Sequence, residues 1–452
     1  MVTVKLSRFA HTLDLGEHVA IWHALRLRPV FLTKDTYSSL LQGHCDEGIA
    51  VELQRWRIAI SDECEDDKVL SWVRSLLPGA GISLGYFILS ERCNLACKYC
   101  FVGEHSVRRE LMSAKDMSQE TAEKAIFFFI KQLELSGIDF TENKSQIIFF
   151  GGEPLIAYDV LVYVARRIAE LRDDYPVLQS TQLTVITNGT MLTKERILEL
   201  RELGVSVNIS IDGASLETNA NRIFPSGKPA FDKIIGALNL CKELNVAPSL
   251  SVTLSPETIK DLSGLLSLLQ TYDVRGLGFN IMLSSEDYQL SEQYYEEAAQ
   301  FIIDSFEVFR QTGIYEDRIM RKLNCFAHSL TYFSDCGATA GGQLVFTPDG
   351  RVGICQGLIA EKEFFDTSLD DESFDAREHP TWQQWAHLVP IETPECYECE
   401  ALGICGGGCP VNARANNPEK GLHCLDRRQC IHAKRTLEYL ITDLYKKALS
   451  KQ

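Results

Sequence analysis

Ile82-Ser83-Leu84-Gly85-Tyr86-Phe87-Ile88-Leu89-Ser90 runs straight into Glu91-Arg92-Cys93-Asn94-Leu95-Ala96-Cys97-Lys98-Tyr99-Cys100-Phe101. A short, nearly continuous apolar run of this kind predicts a strand buried on both faces, as in a parallel sheet. Cofactors bind at the ends of such strands in α/β folds, which is where the three cysteines fall. The spacing Cys-x-x-x-Cys-x-x-Cys offers three thiolates to a four-iron cluster that takes four ligands, so one iron is left open to another molecule. Zinc is the competing reading, with a histidine such as His105 completing a tetrahedral site.

Downstream, strand-like and helix-like stretches alternate. Strands are expected at 82–90, 146–150, 183–187, 205–211, 249–254 and 277–283, with helices at 118–136, 157–173, 193–203, 229–244 and 256–270. Six βα repeats imply a parallel sheet with right-handed crossovers. The fold class that follows is α/β, a partial (β/α)6 barrel two units short of the closed eightfold form. Before it, residues 1–80 form an N-terminal α+β extension: apolar stretches at 19–22 and 29–32 suit a hairpin, and 36–41 and 68–77 suit helices. Leu77-Pro78-Gly79-Ala80-Gly81 is a breaker cluster and a boundary. The barrel is expected over 81–311. Residues 312–452 make a Cys-rich domain, in which nine cysteines between Cys325 and Cys430 lie amid glycine and proline. Thiolate ligation is expected to stand in for a conventional core there. The stretch 431–448 reads as an amphipathic closing helix.

The 452 residues hold enough chain for two or three cores. Fifteen cysteines would make a disulfide framework in a secreted protein. The first fifteen residues interleave charged and apolar side chains, and no run of about 18 apolar residues offers a membrane span. The expectation is a soluble, cytoplasmic protein whose thiols are metal ligands, with no membrane partner. A formal charge of −17 disfavours nucleic acid, whose binding draws on clustered lysine and arginine.

Three further strand ends carry polar chemistry. Phe149-Phe150-Gly151-Gly152-Glu153-Pro154 ends a strand in two glycines and an acid, which lets backbone and a carboxylate approach a ligand closely. Thr187-Asn188-Gly189-Thr190 and Ser210-Ile211-Asp212-Gly213 end the next two strands in short polar side chains. Each alone reads equally well as a turn; together they share a rim with the cysteine triplet.

These residues resemble the radical S-adenosylmethionine (SAM) enzymes. The likeness rests on Cys93, Cys97 and Cys100 with Phe101, on Gly151-Gly152-Glu153-Pro154 as the methionine-amino motif, and on the βα repeats over 82–285. It implies that the open iron is chelated by the amino and carboxylate groups of S-adenosyl-L-methionine. Reductive cleavage then yields a 5′-deoxyadenosyl radical that takes hydrogen from an unactivated carbon. Thr187, Asn188, Ser210 and Asp212 are placed near cofactor or substrate by the same likeness, and Arg222 near the methionine carboxylate.

Farther on, Cys396-x2-Cys399-x5-Cys405-x3-Cys409 resembles the SPASM signature, with Cys336 and Gly353-Ile354-Cys355 as its opening element. That domain type binds two auxiliary [4Fe-4S] clusters, making three in all. By analogy Cys336, Cys355 and Cys409, with Cys325 as a further candidate, hold one, and Cys396, Cys399, Cys405 and Cys430 the other. Cys424 competes with Cys430, which directly precedes the closing helix, and the separation of Cys336 from Cys355 exceeds the usual pattern. A zinc ribbon is the alternative. Cys45, Cys64 and Cys241 read as small buried hydrophobes, and Phe127-Phe128-Phe129 as core. The stretch 63–68 is expected to be a solvated loop or helix start.

The resemblance implies a peptide maturase that abstracts hydrogen from a residue of a ribosomally made precursor peptide. Oxidation through the auxiliary clusters would then install a thioether, C–C or C–O crosslink, with a flavodoxin- or ferredoxin-type electron donor. Residues 1–80 are either a leader-peptide adaptor, whose hairpin edge adds a strand from the peptide, or a cap on the barrel. Sulfatase-maturing members carry an acid just after the cysteine corresponding to Cys355; Gln356 stands there instead. Radical chemistry on a small molecule, a non-enzymatic iron–sulfur electron carrier and a zinc-binding interaction protein are the other classes.

Overall fold

The computed structural model describes residues 2–100, 102, 115–284, 289–416 and 418–450. The chain divides into two compact units, one of residues 79–317 with 340–386, the other of residues 1–78 with 318–339 and 387–452. This grouping departs from a linear division at 80 and 311.

The second of these units contains strands β1 (Ala10–Asp14), β2 (His18–His23) and β3 (Val30–Thr33), an antiparallel sheet in that order. The expected hairpin is its β2–β3 half. Helices α1 (Lys34–Leu41), α2 (Glu47–Arg55) and α3 (Cys64–Arg74) follow. Thr33 and Asp46 cap α1 and α2 by accepting the N–H of Thr36 and Gly48. The acidic start of α3 is not wholly solvated: Asp66 is buried and accepts from Ser7 Oγ at 2.6 Å and Arg8 N at 2.9 Å.

In the other unit the expected alternation is present. The elements are β4 (Leu84–Ser90), α4 (Gln119–Leu135), β5 (Gln146–Gly151), α5 (Tyr158–Leu171), β6 (Gln182–Thr187), α6 (Lys194–Glu202) and β7 (Val205–Ile211). Then come α7 (Phe231–Glu243), β8 (Ser249–Leu254), α8 (Leu262–Thr271), β9 (Gly276–Ile281), α9 (Glu292–Thr312) and β10 (Tyr315–Glu316). Strands β4 to β10 pair in parallel in sequence order. Period-two alternation sets the two faces. Phe87, Phe149, Val185, Ile209, Val252 and Phe279 are fully buried on one face. Helices cover it: a Cβ on Gly85 would stand 3.2 Å from the Phe129 ring of α4, and Phe279 stacks on Phe309 of α9 at 6.2 Å. The opposite face carries Tyr86, Thr184, Asn208, Ser210, Ser251 and Asn280, each half-buried or exposed. Phe128 and Phe129 are core as expected, whereas Phe127 is 38% exposed.

The sheet runs beyond six strands. Residues Gln343–Phe346 (β11) pair in parallel with β4, and Arg351–Gly353 (β12) and Thr367–Ser368 (β13) continue antiparallel, so the described sheet has ten strands in the order β10-β9-β8-β7-β6-β5-β4-β11-β12-β13. Gln343 pins this edge, donating through Nε2 to Ile354 O at 2.8 Å while its own carbonyl accepts from Trp382 Nε1 at 2.8 Å.

Chain returning after residue 317 rejoins the unit of residues 1–78 through α10 (Asp317–His328), the cysteine loops and α11 (Arg427–Leu449). A conventional core does form here, which corrects the expectation that thiolates replace it. Ala20, Trp22 and Leu27 pack with Ala401, Ile404, Cys405, Ala433 and Leu437, and Phe9, Ala24 and Leu25 with Val389, Ile391 and Leu402. Trp22 Nε1 donates to Glu400 O at 3.2 Å. At Gly403 any side chain is excluded, since a Cβ would stand 2.4 Å from Ala24 O. The N-terminal residues thus supply half of the core on which the cysteine loops are built. Replacing Trp22 with alanine should destabilise this unit by about 3–5 kcal/mol, read as a lower denaturation midpoint. Among the described residues no helix is long and apolar enough to cross a membrane.

Candidate active site

The loop leaving β4 holds Cys93, Cys97 and Cys100, all half-buried. Phe101 and His105 lie outside the described residues. Backbone contacts fix the loop: Ala96 N–H donates to Ile223 O at 2.7 Å and Lys98 N–H to Asn221 O at 3.1 Å. Leu95 N–H points at Cys93 Sγ at 3.4 Å.

Gly151 and Gly152 make room for this loop. A Cβ on Gly151, whose φ is +141°, would fall 2.1 Å from Ser90 O, and one on Gly152 would fall 2.3 Å from Arg92 O. Both glycines thus allow a close approach of backbone to backbone. In Gly152→Ala the obstruction is backbone that cannot swing aside, so the cost should reach the upper end of the ~1–3 kcal/mol for overpacking. A thermal melt and an iron assay on the reconstituted variant check this.

Glu153 turns inward. Its side chain is fully buried, and its carboxylate accepts from Thr187 Oγ1 at 2.7 Å, Asn188 N at 2.8 Å and Leu155 N at 3.0 Å. Burial raises its pKa and these donors oppose the shift. Glu153 therefore ties the end of β5 to the end of β6. Pro154 begins the short 3-10 turn that follows. Asn188, held this way, donates to Asn94 Oδ1 at 2.8 Å, and Asn94 Nδ2 donates to Thr190 Oγ1 at 2.8 Å. Asn188 thus reaches the cysteine loop through Asn94, while Thr187 holds Glu153.

A second tie comes from β7. Asp212 accepts the Tyr99 hydroxyl on one oxygen and Arg222 Nε, at 2.8 Å, on the other; Asp212 and Arg222 are buried and Tyr99 is half-buried. The Arg222 guanidinium lies 5.6 Å from the Tyr99 ring centroid. Burial works to lower the pKa of Arg222, but the Asp212 carboxylate overrides it and keeps the guanidinium charged. Asn219 Oδ1 accepts from Asp212 N at 2.9 Å, and Thr258 Oγ1 donates to Asp212 O at 2.7 Å. Asp212 and Arg222 therefore hold the stretch between Cys97 and Cys100 from behind. Ser210 is set apart, on the open face of the sheet beside Asn208 and Ser251. Asn94 and Tyr99 escaped the sequence reading although they lie inside the cysteine triplet, whereas Asn219 and Thr258 sit in loops without a local signal.

The thiols suit a cationic partner. Burial raises Cys93 to about 12, and Cys97 and Cys100 push it in the same direction. A thiolate at Cys93 is favoured only beside positive charge, which an iron core supplies.

A second group of thiols lies in the unit that includes the N-terminal residues. Burial lifts Cys396 to about 12 and Cys430 to about 11, and it drives Cys405 up as well. Each responds to others of the set: Cys396 to Cys430 and Cys399, Cys405 to Cys430 and Cys399, and Cys430 to Cys399. Cys409, at about 11 through burial, also feels Asp426 and Cys336. Gly406, Gly407 and Gly408 all have positive φ (+72°, +83° and +79°), so the turn from Cys405 to Cys409 is available to glycine alone. Cys325 packs in the apolar cluster around Trp22 that includes Cys405. Cys355 follows β12 in the other unit and is buried. Cys45 and Cys241 are buried as expected, but Cys64 is exposed. Among the described residues no group of three or more His, Cys, Asp or Glu side chains is set to hold a single metal ion.

Residues 87–269 match the family model described as the Radical SAM superfamily. The chain carries a radical SAM domain. The matched span starts within β4, takes in the cysteine loop and ends within α8. It makes the protein a radical SAM enzyme, and with that domain come one [4Fe-4S] cluster and S-adenosylmethionine. The radical SAM enzyme is 27% identical over 348 residues to the radical SAM cyclopropyl synthase TigE of Paramaledivibacter caminithermalis, a match covering 73% of this chain and 68% of that one. Among solved structures it is similar to native anSMEcpe with bound AdoMet, with a TM-score of 0.65 at 21% identity, over 81% of this chain and 99% of that one. It is also similar to Streptococcus suis SuiB bound to S-adenosylmethionine, with a TM-score of 0.51 at 14% identity, over 95% of this chain and 98% of that one. Both structural likenesses concern the fold.

Proposed function

We propose that this radical SAM enzyme modifies a residue of a ribosomally made peptide, forming a thioether, C–C or C–O bond with net loss of hydrogen. The observation that carries the reading is the pairing of two sets of thiols: the triplet after β4, braced by Asn94 and Tyr99, and the mutually responsive group Cys396, Cys399, Cys405 and Cys430. One set suits starting a radical and the other suits taking up an electron. Similarity to TigE, a radical SAM cyclopropyl synthase, supports bond-forming chemistry.

In this reading Cys93, Cys97 and Cys100 hold three irons of the radical SAM cluster. When bound, that cluster and S-adenosylmethionine supply reductive cleavage of the sulfonium and a 5′-deoxyadenosyl radical able to take hydrogen from an unactivated carbon. Asp212, through Tyr99, and Asn188, through Asn94, keep the three thiols in position, so their part is positioning. Thr187 and Glu153 hold the β6 end against the β5 end. Ser210 and Asn208 on the open sheet face offer polar contacts to cofactor or substrate. Cys396, Cys399, Cys405 and Cys430 hold one auxiliary cluster, and Cys336 with Cys409 contribute to the other. Residues 1–78 share the core of the cysteine loops, which gives them a structural role. Among the described residues the β1–β2–β3 sheet also has two edges at which an extended peptide could add a strand. A flavodoxin- or ferredoxin-type protein is the proposed reductant. Gln356 donates no base chemistry of the carboxylate type; its Oε1 accepts from Gln343 Nε2 at 2.7 Å, so formylglycine formation on a sulfatase is the weaker reading.

The test is an anaerobic assay of reconstituted enzyme with S-adenosylmethionine, a reductant and precursor peptides encoded beside its gene. Mass spectrometry should show 5′-deoxyadenosine matched by a peptide lighter by a hydrogen pair. Deoxyadenosine formation coupled to consumption of a small molecule, with every peptide untouched, would reject the peptide assignment.

A further inference from the structure

Arg26, Arg57, Glu65, Lys68, Val69 and Trp72 line a cavity of about 250 Å³ in the unit that contains residues 1–78. Arg26 follows β2 and Arg57 follows α2, while the other four lie on α3. Glu65 is the one carboxylate among these residues, and it is taken by Arg57 at 2.7 Å and by Ser61 N at 3.0 Å. Among the described residues Lys68 has no ion pair, and the Arg26 side chain has neither ion pair nor hydrogen bond, its Nε being buried and unpartnered. Nearby acids are committed elsewhere: Glu63 pairs with Lys5, Asp66 accepts from Ser7 and Arg8 N, and Asp67 pairs with Arg8 at 2.8 Å. Positive charge is therefore in excess at the cavity.

Three neighbours bear on its use. His23 of β2 is pushed down to about 3, first by burial and then by Arg26, His11 and Arg57, so it adds no charge of its own. Arg57 holds φ at +61°, the left-handed conformation that glycine favours after a helix. A guanidinium is thus kept at this spot against a backbone cost. Apolar surface adjoins the cations: Trp72 is 48% exposed, with the Arg26 guanidinium 5.3 Å from its ring centroid, and Leu76, equally exposed, stands four residues on.

We propose that this cavity receives an aspartate or glutamate side chain of the precursor peptide, with an adjoining apolar residue of that peptide laid on Trp72 and Leu76. The proposal rests on the peptide reading above. A carboxylate matches the guanidinium fork of Arg26 and the ammonium of Lys68. At a formal charge of −17 the enzyme repels acidic chains at long range, so a peptide gains only by delivering its carboxylate to this spot. A free small acid would leave the exposed Trp72 and Leu76 unused. None of the lining residues lies in β1, β2 or β3, so this contact differs from strand addition at a sheet edge.

The experiment is fluorescence anisotropy of dye-labelled precursor peptides, encoded beside the gene, titrated with the full-length reconstituted enzyme. Arg26→Gln should weaken binding about tenfold. Lys68→Gln should weaken it about threefold, because Lys68 is the more exposed. Replacing the recognised acid of the peptide by its amide should cost the wild type about tenfold and Arg26→Gln little, a coupling that a merely structural role of Arg26 would not produce. Lys34→Gln, which alters a surface lysine paired with Asp14, should bind as wild type does. The KM for peptide modification should rise with the Kd while kcat holds. Should Arg26→Gln fail to fold, Lys68→Gln measured against the same amide peptides takes its place. Additive losses, or unchanged affinity in folded Arg26→Gln and Lys68→Gln, overturn the proposal. Millimolar succinate is the second probe: a thermal shift by succinate that depends on Arg26, with peptide binding indifferent to Arg26, would give the cavity to a free acid and overturn it too. Peptides that bind through Arg26 and yet are never modified would instead overturn the maturase reading, which is a separate failure.

Discussion

Cys97→Ala abolishes formation of 5′-deoxyadenosine. Cys97 lies at the centre of the triplet, so its removal leaves two thiols for a cluster that the remaining loop cannot hold. The fold should survive, because the loop is anchored by backbone: Ala96 N–H to Ile223 O and Lys98 N–H to Asn221 O do not involve the sulfur. Tyr99 and Asp212 hold the same stretch. The variant should therefore melt close to the wild type while losing about four irons per chain and falling to background in deoxyadenosine. Liquid chromatography of the reaction mixture and an iron assay read both outcomes. Deoxyadenosine produced by an iron-depleted Cys97→Ala protein would remove the basis for the radical site.

In Cys399→Ala the two activities should separate. Cys399 acts on Cys396, Cys405 and Cys430. Deoxyadenosine formation should persist within about tenfold of wild type, less than about 1.4 kcal/mol of barrier. The crosslinked peptide should be absent, since the electron released on closing the new bond has lost its acceptor. Cys399 also sits at a turn whose N–H donates to Cys396 O at 3.0 Å, a contact that alanine keeps. Cleavage and crosslinking lost together would mean that this cysteine group supports the structure rather than the oxidation.

The strand and helix alternation of residues 84–281 was legible because each strand repeats a buried residue at every second position and each helix follows at a regular interval. Residues 343–353 carried no such signal. β11 is four residues long, and its partner β4 lies more than 250 residues earlier in the chain. The shared core of Trp22, Leu25 and Phe9 with Val389, Leu402 and Ile404 was hidden for the same reason, since periodicity reports a face and not its partner. At the site, cysteine spacing marked the triplet directly. The glycines of Gly151-Gly152 were recognised, but their use in backbone packing required the Ser90 and Arg92 carbonyls to be seen beside them. Glu153, Asp212 and Arg222 were singled out as ligand contacts. Their side chains are committed to Thr187 and Asn188, to Tyr99 and to each other, so their polarity serves to fix the rim.

These ties divide the residues at the strand ends into two kinds. Asn94, Tyr99, Glu153 and Asp212 build a rigid seat for the cysteine loop. Ser210, Asn208 and Ser251 lie half-buried on the other face of the sheet and take no part in that seat. Tyr99→Phe, which deletes one hydrogen bond to a buried carboxylate, should cost about 1–3 kcal/mol and loosen the triplet, seen as lower iron retention after gel filtration.

The most direct test of the whole account is metal content. The chain should be purified without oxygen, reconstituted, and assayed for iron, sulfide and zinc per polypeptide. Three four-iron clusters predict about 12 irons with matching sulfide and little zinc. About four irons would remove the auxiliary clusters, and stoichiometric zinc with little iron would contradict the radical mechanism itself.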